Sequence, residues 1–366
     1  MKRMKEINPR KWGICAIVLL GVVMVGMALL TYIVDPYFHY HVPFPGMSYR
    51  LYEQRYINDG ISRYFDYDAV VIGNSLSENV KTSQVNELFD CNSIKLPYSG
   101  AGYKELWESI ERALAYNPDL KKIIVFVDTE DMIRDKDYVR YEDYPDYLYD
   151  DNLWNDAAYL WNKDIFYRGT LYNLFMTIDG KESTTFDEYS AKDGKTGAEE
   201  VLPLIGEIPD PEDIGRRVYG EDDSLQVTEN INANIIRVVR DNPEVEFYLI
   251  YSLPSIARWA KYYSWGDLEY RLLACETATQ LLLPEKNVQL YSFQDEFEIV
   301  CNLDNYRDTV HYTSEITDYM IQSVADGNKQ LILKNTDKYF ETITDFYMKY
   351  NYQSLREDEY FSKEEN

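Results

Sequence analysis

The stretch DAVVIGNSLSEN, residues 68–79, sets Ala69, Val70, Val71 and Ile72 in an unbroken apolar run and then stops in Gly73-Asn74-Ser75. A short continuous apolar run bounded by turn residues reads as a strand buried on both faces, the type found in parallel sheets. In an open parallel sheet the carboxyl ends of the strands face the ligand crevice. Ser75 therefore stands either in a turn that merely ends a strand or at the mouth of a site.

Outward from this strand the same pattern repeats. TSQVNELFD (82–90) reads as a short helix, NSIKLPYSG (92–100) as a strand with a glycine turn, YKELWESIERALAYNP (103–118) as a helix and KKIIVFVDTEDM (121–132) as a strand. The alternation resumes with helix 228–243, strand VEFYLIYSLP (245–254), helix 266–284 and strand NVQLYSFQ (287–294). Strands alternating with amphipathic helices predict an α/β fold: three layers, α/β/α, around a mainly parallel sheet. Between the two runs, residues from about 133 to 228 are rich in Asp, Tyr and Trp and then turn polar, which reads as an insertion with short helices, a candidate lid, rather than an independent domain. Its acidic run lacks the D-x-[DN]-x-[DN]-G pattern of a calcium loop, so it reads as a solvated face and no metal is expected.

The N-terminus sets the compartment. Lys2, Arg3, Lys5, Arg10 and Lys11 precede residues 12–34, which carry no charged side chain, and Asp35 follows. At about 1.5 Å per residue this run matches a hydrocarbon core of roughly 30 Å. The basic flank predicts a cytoplasmic N-terminus and an extracellular C-terminal domain. No A-x-A-like cleavage site follows, so an uncleaved transmembrane anchor is expected rather than a signal peptide. The expected divisions are a basic end (1–11), the span (12–34), a membrane-proximal aromatic collar (35–65), the α/β domain (66–330) and a peripheral C-terminal helix and tail (331–366). A formal net charge of -26 repels nucleic-acid phosphates and argues against a nucleic-acid partner. The 35 tyrosines suit faces that stack on sugars or pack irregular loops. Of four cysteines, Cys15 lies in the span and Cys91, Cys275 and Cys301 outside it; Cys275 and Cys301 could pair, but buried thiols are the simpler reading, and no Cys/His spacing suggests zinc.

A serine becomes a useful nucleophile when a base takes its proton and donors hold the oxyanion. The chain has three histidines: His39 and His41 in the collar, and His311 within the α/β alternation, three residues after Asp308 in RDTVHY. A carboxylate at that spacing can orient the ring and stabilise the imidazolium. Ser75, Asp308 and His311 are thus the candidate triad. The amides of Ser75 and of the turn at Gly100 and Gly102 are candidates for an oxyanion hole, with Asn74, Asn79, Asp128 and Thr129 as candidate lining. The α/β-hydrolase elbow G-x-S-x-G is not met, because Ser77 occupies the last glycine position.

These residues resemble the SGNH/GDSL hydrolase superfamily. GNSLS (73–77) looks like its first block with Ser75 as nucleophile; SGAG (99–102) resembles the second, whose glycine amide joins the oxyanion hole; DTVH (308–311) matches the last. The likeness covers roughly 66–130 and 228–327. The third block departs: VDTED (127–131) carries no asparagine where the family supplies one. Together with the anchor, the resemblance implies a cofactor-free, extracytoplasmic serine esterase or O-acyltransferase. Its similarity is to proteins that accompany membrane-bound O-acyltransferases in modifying cell-surface polysaccharide or teichoic-acid-like polymers. A non-catalytic glycan-binding or accessory partner of the same fold is the alternative, and an adhesin or sensor ectodomain is a more remote one.

Overall fold

The structure is a computed structural model and describes residues 9–141, 144–150, 152–356 and 360. Its backbone contacts form two compact units, one of residues up to 65 with 144–185 and one of residues 66–141 with those from 186 onward.

The first unit is built on the Pro9–Val34 helix, 26 residues long. It is long and apolar enough to cross a membrane, and no part of its most apolar window is buried within the protein. The chain leaves this helix through Asp35, which adopts φ 45° and is fully buried. Its carboxylate accepts from the amides of His39, Tyr40 and His41 and from the Tyr159 hydroxyl at 2.7 Å. Helices Gln54–Tyr64, Ala157–Leu160 and Ile165–Ile178 complete this unit, the first part of the last one running in wide i→i+5 turns.

The second unit holds one six-stranded sheet: β1 (Ala69–Gly73), β2 (Ser93–Pro97), β3 (Lys122–Val127), β4 (Glu246–Tyr251), β5 (Val288–Tyr291) and β6 (Gln330–Leu331). The order is β2-β1-β3-β4-β5-β6; β1 to β5 are parallel and only β6 runs antiparallel, pairing Leu331 with Leu290. Helices cover both faces. Tyr103–Tyr116, the helical stretch 221–241 and Leu268–Leu282 pack with one another, while Thr82–Phe89 packs against Ser314–Ala325. All five residues of β1 are buried, as an inner parallel strand requires, and the edge strand β2 is buried throughout as well.

The α/β expectation and its five strands hold. The structure adds β6, too short for a pattern in sequence, and a helix at Ile256–Ser264. The helix before β4 begins at Glu221, not at 228, and its middle turns are again wide. In the tail, Thr336–Lys349 buries Phe340, Ile343 and Tyr347, and Tyr347 stacks on Trp259 with ring centroids 3.8 Å apart. All four cysteines are free, so Cys275 and Cys301 do not pair.

Gly73 ends β1 opposite Pro97 on one side and Phe126 on the other. A Cβ there would stand 2.8 Å from the Phe126 Cβ and 3.1 Å from the Ser77 Cβ, too close without a shift of the sheet. Gly73→Ala should therefore lower stability by about 1–3 kcal/mol, the usual cost of overpacking. Thermal unfolding of the detergent-solubilised chain, followed by circular dichroism, checks this; an unchanged midpoint would contradict it.

Candidate active site

β1 is flanked by β2 and β3, and the strand order reverses between β1 and β3. A doubly wound sheet opens a crevice at that switch point, beyond the carboxyl ends of its strands. Ser75 leaves β1 there and Asp128 leaves β3. From 69 to 80 every residue is buried except Ser75, which is half-exposed.

Local chemistry fixes the turn that carries it. Ser75–Ser77 is a single 3₁₀ turn capped by Asn74, whose Oδ1 accepts from the Leu76 amide at 3.0 Å. The Ser77 hydroxyl donates to the Asn74 carbonyl at 2.9 Å. The other end of the Asn74 amide donates from Nδ2 to Asp128 Oδ2 at 2.8 Å, tying the turn after β1 to the end of β3. Asp128 Oδ1 in turn accepts from the Glu130 amide and caps the following turn.

The other half of the site is a tight turn, residues 308–311, closed by an antiparallel bridge between Tyr306 and Tyr312 and by a bond from the Arg307 amide to the His311 carbonyl. Asp308 organises it. Its Oδ1 accepts from the amides of Val310 at 2.8 Å and His311 at 2.9 Å, which leaves Oδ2 free to meet the His311 ring. The three-residue spacing is what lets one carboxylate do both. Ser255 anchors the turn from outside, its amide and hydroxyl both donating to the Thr309 carbonyl.

Across 236 residues of chain the two halves meet: Ser75 Oγ lies 2.7 Å from His311 Nε2, and His311 Nδ1 lies 2.6 Å from Asp308 Oδ2. An ionised Asp308 only accepts, so the ring proton faces it on Nδ1 and Nε2 is left to accept the proton of the serine hydroxyl. Burial alone would raise the Asp308 pKa; the hydrogen bond and charge of His311 and the two backbone donors outweigh it and hold it at about 2. This order of groups can deprotonate a serine as it attacks and return the proton to a leaving group.

The remaining sequence candidates take varied places. Gly100 adopts φ +69°, with the Tyr141 hydroxyl and Arg140 against the spot where a Cβ would be, and Gly102 begins the Tyr103–Tyr116 helix under the Tyr138 ring. Thr129 donates its amide to Ser252 Oγ, and Asn79 accepts from the Lys192 amide at 2.8 Å, which makes its visible role one of anchoring. His39 and His41 belong to the first unit, where His39 meets Asp156 at 3.2 Å and the His41 ring meets the backbone carbonyls of Val42 and Tyr32. Among the described residues no group of three His, Cys, Asp or Glu is placed to hold a metal.

Two ionic clusters near the turn, one part-buried and one buried, were not anticipated. Glu130 is clasped by Arg258 through both oxygens, with the Tyr262 hydroxyl as a third donor, and these partners keep its pKa low against the effect of burial. Asp128 and Asp131 are shifted the other way, chiefly by burial and also by the neighbouring carboxylates. Lys95, in the middle of β2, is fully buried and donates to the carbonyls of Glu78 and Val80, while burial brings its pKa down to about 8. The Glu78 side chain accepts from Ser99 and pairs with Lys192 at 2.8 Å. The one sequence signal was a lysine inside the apolar strand SIKLP.

No family model matches the chain, and no curated protein matches it. Among solved structures, it is similar to one described as "a putative platelet activating factor from Streptococcus pneumonia", at 14% identity and a TM-score of 0.38, covering 74% of this chain and 88% of that one.

Two outcomes are expected. Asn74→Ala removes the cap of the serine turn and leaves the buried Asp128 carboxylate short of a donor, so unfolding should become easier by about 1–3 kcal/mol, read by thermal denaturation. Asp308 has a folded pKa below its ordinary 3.8, so the stability it contributes is complete above that value and is lost as pH falls toward 2. The stability gap between the parent chain and Asp308→Asn should therefore shrink from pH 5 to about pH 2; a gap independent of pH would contradict the assigned ionisation.

Proposed function

We propose that the protein is a membrane-anchored serine esterase or O-acyltransferase of SGNH type, acting on acyl esters of a cell-surface polysaccharide or teichoic-acid-like polymer. The observation that carries the reading is the continuous relay from Ser75 Oγ through His311 to Asp308, with steps of 2.7 and 2.6 Å. In this reaction Ser75 Oγ bonds to the ester carbonyl carbon as its proton passes to His311 Nε2. The amides of Ser75, Gly100 and Gly102 receive the oxyanion. His311 then protonates the departing alkoxide, leaving an acyl-serine. Water, or a sugar hydroxyl, gives up its proton to His311 and attacks the acyl carbon, which restores Ser75 and releases an acid or a new ester.

Substrate class is supported by the surroundings. A groove of about 450 Å³ adjoins the histidine turn, lined by Lys192, Asp193, Asp304, Arg307, Thr313 and Glu315. Such a lining suits a hydroxyl-rich, polar chain better than a lipid. The charge-free helix with a basic N-terminal flank supports single-pass anchoring, with the N-terminus cytoplasmic and the α/β unit extracellular. In this setting a membrane-bound O-acyltransferase is the expected partner and acyl donor.

A second reading, a non-catalytic accessory or glycan-binding protein, is favoured by one feature: the segment after β3 carries Asp128, Glu130 and Asp131 where the family has a donor asparagine.

An alkyl fluorophosphonate should label the full chain on Ser75, and Ser75→Ala should abolish labelling. His311→Ala should lower ester hydrolysis roughly 10³-fold or more. A folded Ser75→Ala chain that sustains normal polymer acylation in cells would point to the accessory role instead.

A further inference from the structure

We infer that residues 153–178 form a membrane-interfacial surface, so that the first unit is seated in the outer face of the bilayer as well as tethered to it. The inference rests on the anchor reading of the Pro9–Val34 helix.

Three observations within this unit lead to it. The first is a helix that is apolar on its outer side as well as its inner one. Along Ile165–Ile178, Tyr167, Phe175 and Ile178 recur at helical spacing and point outward, 66%, 63% and 78% exposed, with Leu171 half-buried between them. The face turned inward carries Ile165 and Met176 together with Gly169, Thr170 and Asn173, and two of these bond to the protein: Thr170 Oγ1 meets Thr31 Oγ1 at 3.3 Å and Asn173 Oδ1 accepts from the Arg50 amide. A helix in water places its apolar stripe against the core. This one shows a substantial apolar stripe to its surroundings.

The second observation is that the stripe does not stand alone. Leu153 and Trp154, 75% and 93% exposed, precede it in the same unit. Exposed apolar residues gathered in one unit suit a membrane or partner contact, and aromatic residues are the type enriched at bilayer boundaries.

The third fixes the occupant. Trp161 donates from Nε1 to the backbone carbonyl of Met24 at 2.9 Å. Met24 lies ten residues before the end of the Pro9–Val34 helix, about 15 Å along its axis. A hydrocarbon layer of roughly 30 Å that begins near Trp12 reaches past Met24. If that helix spans the bilayer, Trp161 and the apolar face beside it meet lipid. The exposed Lys163 and Arg168 have stems long enough to carry their charges up to the headgroups. The surface is thus continuous with the anchor, and its partner is the lipid of the outer leaflet.

The test uses the full chain in phosphatidylcholine vesicles with or without brominated acyl chains. An environment-sensitive fluorescent amino acid is placed at position 18, 154, 178 or 218, all exposed in the fold, so that none disturbs a core. Position 18 reports the anchor, and position 218, exposed on the α/β unit, is the comparison site. Probes at 154 and 178 should be blue-shifted, quenched by brominated lipid several-fold more than at 218, and shielded from aqueous iodide. If 18 is quenched by lipid while 154 and 178 behave like 218, the interfacial surface is overturned and the anchor stands. If 18 itself behaves like 218, the anchor reading fails, and this inference with it.

Discussion

β1 is paired on both edges and buried on both faces, and from that constraint the geometry of the candidate site follows. A strand so enclosed can release its chain only at its carboxyl end, where the order β2-β1-β3 opens a crevice. Gly73 lets the turn begin against Phe126 without a side chain in the way. The chain then curls in one 3₁₀ turn, and the only side chain of that buried segment left open to solvent is Ser75. The position of Ser75 is thus a consequence of sheet packing, secured by hydrogen bonds and not by a strained backbone, since neither Asn74 nor Ser75 has positive φ.

A serine turn beside buried acids and a buried lysine carries an electrostatic cost that the surrounding polar groups offset. Asn74 is the hinge of this arrangement, because one amide group accepts from Leu76 and donates to Asp128. Burial favours the neutral form of Asp128 and Asp131, while Arg258 keeps Glu130 ionised and matched. On the other side of β1, Lys95 satisfies the carbonyls that the chain leaves open between Glu78 and Val80. Buried polar groups of this kind are tolerated when each finds partners.

Much of the fold was legible because parallel strands buried on both faces leave continuous apolar runs, as in β1, β3 and β4, while β2 and β5 are marked by shorter apolar stretches interrupted by Lys95 and Gln289. β6, at two residues, has no periodicity to read, and it pairs only through its position beside β5. Helix Ile256–Ser264 falls in a stretch left unassigned between strand 245–254 and helix 266–284, although its apolar positions do recur at helical spacing. At the site, Asp308 and His311 were legible as a pair because a single turn encodes their contact. Their meeting with Ser75 was not, since no sequence spacing over 236 residues specifies a distance; only the scarcity of histidine pointed to it. The Glu130–Arg258 pair was hidden for the same reason, its partners being 128 residues apart.

The acidic segment after β3 bears on how an oxyanion could be held. An ionised carboxylate accepts hydrogen bonds and cannot donate them, so Glu130 offers nothing to a developing negative charge and, unpaired, would repel it. Its closure by Arg258 and Tyr262 removes that repulsion. Asp128 is likewise turned away, both oxygens occupied by Asn74 and the Glu130 amide. In the proposed reaction the oxyanion is then left to backbone amides, with those of the turn at Ser75 and of the positive-φ turn at Gly100 as the candidates.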